Sequence, residues 1–453
     1  MIELLLLLAV GGLMQAARSF TVGMSGGTEL AFGFLLLSAY FCGKILGRLG
    51  LPRLTGYLLA GALAAPAVLD LVSTQMTKSL GMVNGVASCI LGLTAGAELN
   101  LKKIRPLAAT LRGLIVFGVI GGIVVLAGVL FLIRPLVPLF GTMDVAQSVA
   151  VCALLAVALI PQSPAVIMAV FSETKADGPL SQTILATVVV ADLVVIVCYA
   201  IASAVAGVFV GGGVDVLDTI GDVSWELLGS MGFGVVIGIV ISTYLRTVKE
   251  GAPLFALMIC IVVAQVGSRV HLDPLVVMLA AGIWLENFSR ASSHDLLHGF
   301  ESAQLPVFLV WFALAGLRLD LAKLWLLIVP VMIIVAARMI AFYLGAKVAA
   351  ARSEPPPAVA RYGWVGLVPQ AGLSLAFATV ITSSTFKFGP EAAVLILSVL
   401  AANQLIAPVL LRRAVIKSGE AGGKSERDFT PRTSHDTQPL AVLKAPRPSG
   451  SAR

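Results

Sequence analysis

The sequence predicts an all-α polytopic membrane protein with about 14 transmembrane helices, and two observations lead to that fold class. First, 58% of the 453 residues are hydrophobic and only 12% are charged, whereas soluble domains contain about 45–50% apolar and about 25% charged residues. So little charge cannot cover a surface that faces water. Second, apolar runs recur along most of the chain, each close to the roughly 20 residues that a helix needs to cross a bilayer.

The apolar runs follow one another with short polar loops between them. They lie near residues 3–18, 29–48, 54–72, 79–98, 107–133, 145–171, 181–209, 226–245, 252–269, 273–289, 301–318, 323–350, 362–384 and 391–412. The first run has the alternative of a cleaved signal peptide. We favour a retained helix, because no basic residue precedes its leucines. Residues 417–453 are polar and rich in Pro, Ser and Gly, which predicts a disordered cytoplasmic tail.

Loop charges predict the orientation, because basic residues concentrate in cytoplasmic loops. With the amino terminus inside, most basic loop residues, including Lys102, Lys103 and Arg412, lie on the cytoplasmic side. The opposite side carries fewer basic residues and the acidic loop around Asp218. An even number of helices then places both termini in the cytoplasm, and we expect a multi-pass protein of the inner (cell) membrane. The net charge of +7 fits loops on an anionic leaflet, and no nucleic-acid partner is predicted.

Cysteine and histidine positions give no sign of a cofactor. The five cysteines lie in or beside apolar runs without metal-ligand spacing, and the four histidines fall in loops and in the tail. We therefore expect no cofactor and no resident metal. An intramembrane enzyme would need paired carboxylates or histidine ligands at membrane depth, where this chain offers one Asp and no His. The chain is accordingly predicted not to be an enzyme.

Three short matches recur in the same order along the chain, which predicts an internal repeat. They pair residues 58–61 with 279–282, residues 97–103 with 317–323, and residues 159–163 with 367–371. Each pair is seven segments apart, and an odd number of crossings turns the second copy upside down. Within a transmembrane domain over 1–416, we therefore predict two inverted six-helix repeats, 29–209 and 252–412, joined by a linker helix over 226–245. Inverted repeats are typical of secondary transporters.

The third match predicts two interrupted helices at equivalent depths. Its helix-breaking and polar residues are Pro161, Gln162, Ser163 and Pro164 in the first repeat, and Pro369 and Gln370 in the second. Each proline removes a backbone donor, and freed carbonyls are tolerated at membrane depth only inside protein or beside a water-filled cavity. There, the carbonyls and the oxygens of Gln162 and Ser163 can replace part of a cation's hydration shell. A simple proline kink is the alternative.

Asp192 is the sharpest functional signal, because it lies near the centre of the seventh segment between runs of valine. A charged residue at that depth costs about 2.5–3.5 kcal/mol on insertion scales, and function is the default interpretation. The alternative is a structural role in pairing or hydrogen bonding. A carboxylate that has lost its water can hold a proton or a cation, but not both. That competition is by itself a coupling mechanism.

Arg338 is the one basic residue predicted to lie deep in the membrane. Its desolvation must be offset by a partner. We expect the partners to be the carbonyl ends of the crossed helices, where the helix dipole is negative, so that Arg338 gives electrostatic support to the crossover. A direct ion pair with Asp192 is the alternative, and it would weaken the competition between proton and cation.

Taken in order, these motifs resemble the monovalent cation:proton antiporter superfamily, especially bacterial Na⁺/H⁺ and K⁺/H⁺ exchangers. The resemblance is carried by residues 56–61, 96–101 and 316–321, and it extends over roughly residues 29–412. It implies a dimerisation bundle beside a mobile core, with two discontinuous helices crossing next to an ion-binding Asp. It also implies an elevator-like movement and a homodimer.

Within this resemblance, Asp192 falls on the Asp that binds the ion and the proton, and Arg338 falls on a basic position that is often Lys. Residues 162–164 align with a crossover often written Thr-Asp-Pro or Ser-Thr. The sequence departs from the family at Ala191, where Asp, Asn or Gln is common, and at 369–372, which read Pro-Gln-Ala-Gly instead of Pro-Arg-Gly-Glu. A single carboxylate favours electroneutral exchange of one cation for one proton.

The leading hypothesis is therefore exchange of Na⁺ or K⁺ for H⁺ at Asp192, in a protein surrounded by membrane lipid. A carrier of another small solute on the same architecture is the alternative, because the second crossover lacks the Arg and Glu of the family. A passive channel is disfavoured, since paired broken helices around one carboxylate suit an occluded site better than a continuous pore.

Overall fold

The computed structural model describes residues 2–21, 27–210, 225–248, 251–289, 306–319, 321–370, 372–383 and 386–422. Over these ranges the chain is helical and contains no strand. Eight helical stretches are long and apolar enough to cross a membrane, and four shorter apolar helices accompany them. The predicted all-α polytopic fold is confirmed. The count of fourteen transmembrane helices stays a prediction, and the tail beyond residue 422 lies outside the described residues.

We number the main helices α1 to α16 in chain order. The first eight are α1 (Ile2–Thr21), α2 (Gly27–Arg48), α3 (Arg53–Ala64), α4 (Gly81–Glu98), α5 (Arg105–Leu136), α6 (Val145–Leu159), α7 (Pro164–Thr174) and α8 (Pro179–Val210). The next eight are α9 (Ser230–Thr247), α10 (Ala252–Val270), α11 (Pro274–Asn287), α12 (Pro306–Leu317), α13 (Ile328–Ser353), α14 (Pro357–Tyr362), α15 (Gly372–Ser383) and α16 (Gly389–Ser418). Short helices connect some of them, at Thr74–Ser79, Leu101–Ile104 and Leu321–Leu326.

The third predicted segment is shorter than the apolar run that suggested it. The run extends over 54–72, but α3 ends at Ala64. Pro66 follows in the sequence, and the residue before a proline is pushed out of the helical region. The chain then turns back, and the amide of Val72 donates to the carbonyl of Ala64 at 3.0 Å. Length and apolarity alone therefore overestimated this helix.

The first helix packs onto the second instead of standing apart. Met14 of α1 is buried. Near the start of α1, the Glu3 carboxylate accepts a hydrogen bond from Arg48 at 2.6 Å, and Lys44 lies 3.7 Å from the same carboxylate. Both basic residues belong to α2, so the two helices run antiparallel with their charged ends together.

Helices α3 and α12 approach one another at two glycines. A Cβ atom on Gly61 would lie 1.9 Å from the carbonyl oxygen of Ala313, and one on Gly316 would lie 2.1 Å from that of Leu58. Backbone atoms cannot yield by that much without moving the helix. Only glycine fits at these positions, and the two helices are held at backbone-to-backbone distance.

Helices α4 and α11 make an equivalent contact. A Cβ on Gly96 would lie 2.0 Å from the carbonyl oxygen of Leu279, and one on Gly282 would lie 2.4 Å from that of Leu93. The glycines of this contact are the partners, under the predicted repeat, of those between α3 and α12. An inverted repeat produces such a relation between contacts, although the repeat itself stays a prediction.

Two buried apolar clusters organise the interior. One is built mainly from α2 to α4, α7 and α10 to α12, and the other mainly from α5, α6, α8, α13 and α16. Each interrupted helix contributes to both clusters, because α7 and Val359 of α14 belong to the first cluster, whereas α6 and α15 belong to the second. The cavity described below is lined by residues from both clusters.

Candidate cation-binding site

Two helical interruptions meet inside the molecule. Helix α6 ends at Leu159 and α7 begins at Pro164, so 160–163 are unwound. On the other side, α14 continues as a 3₁₀ turn (Gly363–Leu367), and α15 begins at Gly372. The side chain of Gln370 donates to the carbonyl of Leu159 at 3.1 Å, so the two breaks touch. Prolines at 161, 164 and 369 explain why neither helix continues.

Arg338 joins the ends of both broken helices. This α13 residue is fully buried, with no exposed surface. One terminal nitrogen donates to the carbonyl of Val368 at 3.2 Å, and the other donates to the carbonyl of Ile160 at 3.3 Å and to that of Pro161 at 3.5 Å. Its guanidinium also lies 5.0 Å from the centre of the Phe342 ring. One cation therefore binds carbonyls at the negative ends of two helices.

Gln370 uses its whole amide to hold the crossover together. Besides its bond to Leu159, the nitrogen donates to the hydroxyl of Ser374 at 2.7 Å, and the oxygen accepts from the amide nitrogen of Asn403 at 2.8 Å. The side-chain oxygen of Gln370 is thus occupied by a protein donor. Residue 371, the last of the predicted crossover motif, lies outside the described residues.

The first break presents Gln162 and Ser163, both buried. The Gln162 nitrogen donates to the carbonyl of Ile160, while its Oε1 is buried without a hydrogen-bond donor in the described part of the chain. The Ser163 hydroxyl accepts from the amide of Val166 at 3.3 Å and so caps α7. Proline at the first position of α7 suits a helix start, where its missing N–H is not needed.

Asp192 lies on α8 and lines the same cavity as Gln162 and Ser163. Its Oδ1 is buried and has no hydrogen-bond donor among the described residues. Asp192, Gln162 and Ser163 line one cavity of about 640 Å³. No ion pair between Asp192 and Arg338 is present in the described ranges, because the guanidinium donates to backbone carbonyls instead. The structure thus places two of the predicted polar residues and the carboxylate in the lining of a common cavity.

The cavity extends from these residues toward one face of the protein. It is lined at that end by Gly81 at the start of α4, by Asp273 before α11 and by Arg318 after α12. Glu226, in the turn before α9, also lines it. All of these lie on the side opposite the cytoplasmic loops of the predicted orientation. Polar side chains at that end therefore line the same cavity as Asp192.

On the opposite face, α7, α16 and the α2–α3 loop contact one another. Both carboxylate oxygens of Glu173, at the end of α7, accept from the backbone amide of Arg53 at 3.1 Å. Arg412 of α16 donates to the carbonyl of Gly50 at 2.9 Å and lies 3.9 Å from Glu173. These contacts tie α7 and α16 to the α2–α3 loop.

Several site residues were missed by the sequence reasoning. Gln404 of α16 and the carboxylates Asp273 and Glu226 line the cavity, and none of them was singled out. A signal existed for Gln404, because it forms a polar pair with Asn403 in an otherwise apolar run. Asp273 was recognisable as an N-cap before a proline, and it accepts from the amides at the start of α11.

Comparisons with known proteins agree with the helical fold described above. A family model described as "Sodium/hydrogen exchanger, transmembrane" matches residues 33–417. Two solved structures of the sodium proton antiporter MjNhaP1 from Methanocaldococcus jannaschii are similar in fold. One, determined at pH 8, has a TM-score of 0.58 at 14% identity and covers 88% of this chain and 98% of its own. The other, an electron-microscopy structure, has a TM-score of 0.64 at 14% identity, with 89% and 98% covered. Curated protein sequences give no match.

The family match extends over most of the chain and includes the two broken helices, Asp192 and Arg338. Exchange of sodium and hydrogen ions is the activity that the family description names, and the chain has a multi-pass helical fold similar to that of a sodium proton antiporter. The predicted resemblance to the cation:proton antiporters is confirmed. The chain belongs to the transmembrane sodium/hydrogen exchanger family.

Proposed function

We propose that this protein exchanges one monovalent cation, Na⁺ or K⁺, for one proton, with Asp192 as the shared binding site. The observation that carries the proposal is the buried Asp192 Oδ1 without a protein donor. It lines a cavity with Gln162, whose buried Oε1 also has no donor among the described residues. Oxygens left in this state are costly unless a ligand binds them.

The coupling follows from the cost of an uncompensated buried charge. Taking a lone carboxylate through the membrane interior is expensive, but binding either a proton or a cation neutralises it. Asp192 therefore crosses the barrier loaded with one ligand or the other. Neutral oxygens from Gln162 and Ser163 replace part of the hydration shell when the ligand is a cation.

Asp192, the one carboxylate predicted to lie at membrane depth, sets the proposed stoichiometry, whereas Asp273 and Glu226 line the end of the cavity nearer the protein surface. The residue before Asp192 is Ala191, which has no carboxylate. One negative charge is balanced by one cation or one proton, so exchange is electroneutral. Arg338 stays bound to the crossover carbonyls, where it balances the negative helix ends and leaves the charge of Asp192 for the transported ion.

Alternating access is supported by the two faces of the molecule. The cavity reaches one face, whereas Glu173 and Arg412 hold the other face closed against residues 50–53. When both termini lie in the cytoplasm, as the loop charges predict, the cavity opens toward the outside of the cell. The structure then represents the outward-facing state. The homodimer implied by the family resemblance stays a prediction.

A second candidate is a carrier that uses Asp192 for the driving ion and moves another small solute. The cavity volume of about 640 Å³ supports this second candidate, because pockets of about 300–1,000 Å³ accommodate small organic ligands. Competition between such a solute and Na⁺ or K⁺ in the assay below would distinguish the two.

The test uses purified protein in vesicles with an imposed pH gradient. Adding Na⁺ or K⁺ should dissipate the gradient, and Asp192→Asn should abolish the response. Asp144→Asn is the matched control, because Asp144 caps α6 away from the cavity and Asn is an equally good N-cap. Clamping the membrane potential should leave an electroneutral rate unchanged. Wild-type vesicles that move no protons on addition of any alkali cation would overturn the proposal.

A further inference from the structure

Gln404 of α16 faces the cavity that contains Asp192. Its side chain is 6% exposed, and it lines the cavity with Gln162 and Ser163. The Gln404 Oε1 atom is buried and has no hydrogen-bond donor in the part of the chain that the structure describes. A buried amide oxygen without a donor costs about 1–3 kcal/mol unless a ligand or water satisfies it. It is in the same situation as the oxygens of Asp192 and Gln162.

A proline one turn later frees a second oxygen at the same position. Pro408 lies inside α16 and has no N–H. In a regular helix, the N–H at 408 would bond to the carbonyl of Gln404, four residues earlier. Gln404 thus has both its side-chain oxygen and its backbone carbonyl without the donor that each would ordinarily have.

Asn403 fixes how α16 presents Gln404. The Asn403 amide nitrogen donates to the side-chain oxygen of Gln370 at 2.8 Å, which ties α16 to the second broken helix. Asn403 itself has no exposed surface. The contrast between the two glutamines is informative, because the Gln370 oxygen is taken by a protein donor whereas the Gln404 oxygen is not.

We propose that Gln404 is a cation-binding residue that sets the preference among alkali cations, a role that rests on the exchange function proposed above. With Gln162 and Ser163 it supplies uncharged oxygen atoms around the single carboxylate of Asp192. Such a shell suits a monovalent ion, whereas sites for divalent cations gather several carboxylates. The number and reach of the uncharged oxygens then decide how well Li⁺, Na⁺ and K⁺ are each accommodated.

The experiment measures apparent KM for Li⁺, Na⁺ and K⁺ in vesicles with an imposed pH gradient. In Gln404→Leu, the apparent KM of the preferred cation should rise by about tenfold or more, since an interaction with a charged group is lost. The maximal rate should change less than KM, and the order of preference among the three ions should change. Ser398→Ala is the control, because Ser398 is a buried polar residue of α16 that does not line the cavity.

Other outcomes separate this inference from the function on which it rests. If Gln404→Leu fails to fold, Gln404→Glu is used instead, and its added charge should alter the same KM ratios. Unchanged KM ratios in a folded variant, with wild-type exchange that Asp192→Asn abolishes, would overturn the role of Gln404 alone. Absence of exchange in the wild type would overturn the function first.

Discussion

Replacing Arg338 with methionine tests whether one buried cation holds the crossover together. The guanidinium makes hydrogen bonds of 3.2 and 3.3 Å to carbonyls of the two breaks, and its third contact at 3.5 Å is at the limit of bonding. Methionine fills similar space but donates nothing. Two buried carbonyls would be left unpaired at about 1–3 kcal/mol each, or about 2–6 kcal/mol together.

Part of that loss is offset, because methionine has no charge to desolvate. We therefore expect net destabilisation near the lower end of the range, about 2 kcal/mol. Transport should fall much further, since the guanidinium fixes Ile160 and Val368, the residues on which the geometry of both breaks depends. Arg338→Lys keeps the charge but not the two-pronged donor, so it should lie between wild type and Arg338→Met in both properties.

The assay combines the apparent thermal midpoint in detergent with cation-dependent proton movement in vesicles. Arg352→Met is the matched control on the same helix, because Arg352 is exposed and its guanidinium lies 4.4 Å from the centre of the Phe117 ring, away from the two breaks. Arg338→Met should lower the midpoint relative to this control and abolish most exchange. If it keeps both the midpoint and the exchange rate of the control, the reasoning about the crossover is refuted.

Two further changes probe the helix contacts. Gly316→Ala would place a Cβ 2.1 Å from a backbone oxygen of α3, so the yield of folded protein on size-exclusion chromatography should drop. The control Gly128→Ala should match wild type, because a Cβ at Gly128 would have no atom within 4 Å. Equal yields of the two variants would contradict the close packing of α3 and α12. Glu173→Gln removes a charge that accepts from the amide of Arg53, at a cost of about 0.3–1 kcal/mol. Hydrogen exchange at the start of α3 should then accelerate, more than in the exposed control Glu391→Gln, and unchanged exchange would show that Glu173 does not stabilise the closed face.

The sequence anticipated most of the helices and both interruptions, because those depend on local properties. Long apolar runs require helices in a bilayer, and Pro161, Pro164 and Pro369 break them wherever the rest of the chain lies. The third run was the exception, since apolar residues continue past Pro66 although the helix does not. Apolar residues indicate burial in lipid or protein, and the turn after Ala64 is apolar without being helical.

The partners of the polar residues could not be obtained in the same way. Two alternatives for Arg338 were open from the sequence, and the structure shows carbonyls of both breaks bound by it. Gln404 belongs to no repeated motif, and it lines a cavity with Gln162 and Asp192 only because of how α16 packs in the folded protein.

Composition and proline positions thus determined by themselves that this chain is a multi-pass helical protein with one acidic residue at membrane depth. Tertiary structure alone decided which oxygens line a cavity with that acid, which carbonyls accept hydrogen bonds from the buried arginine, and which loop Glu173 and Arg412 contact. The physical reason is the number of residues along the chain that separates the interacting groups. Helix formation in lipid is dictated within about 20 residues, whereas the hydrogen bond from Gln370 to Leu159 joins residues 211 positions apart.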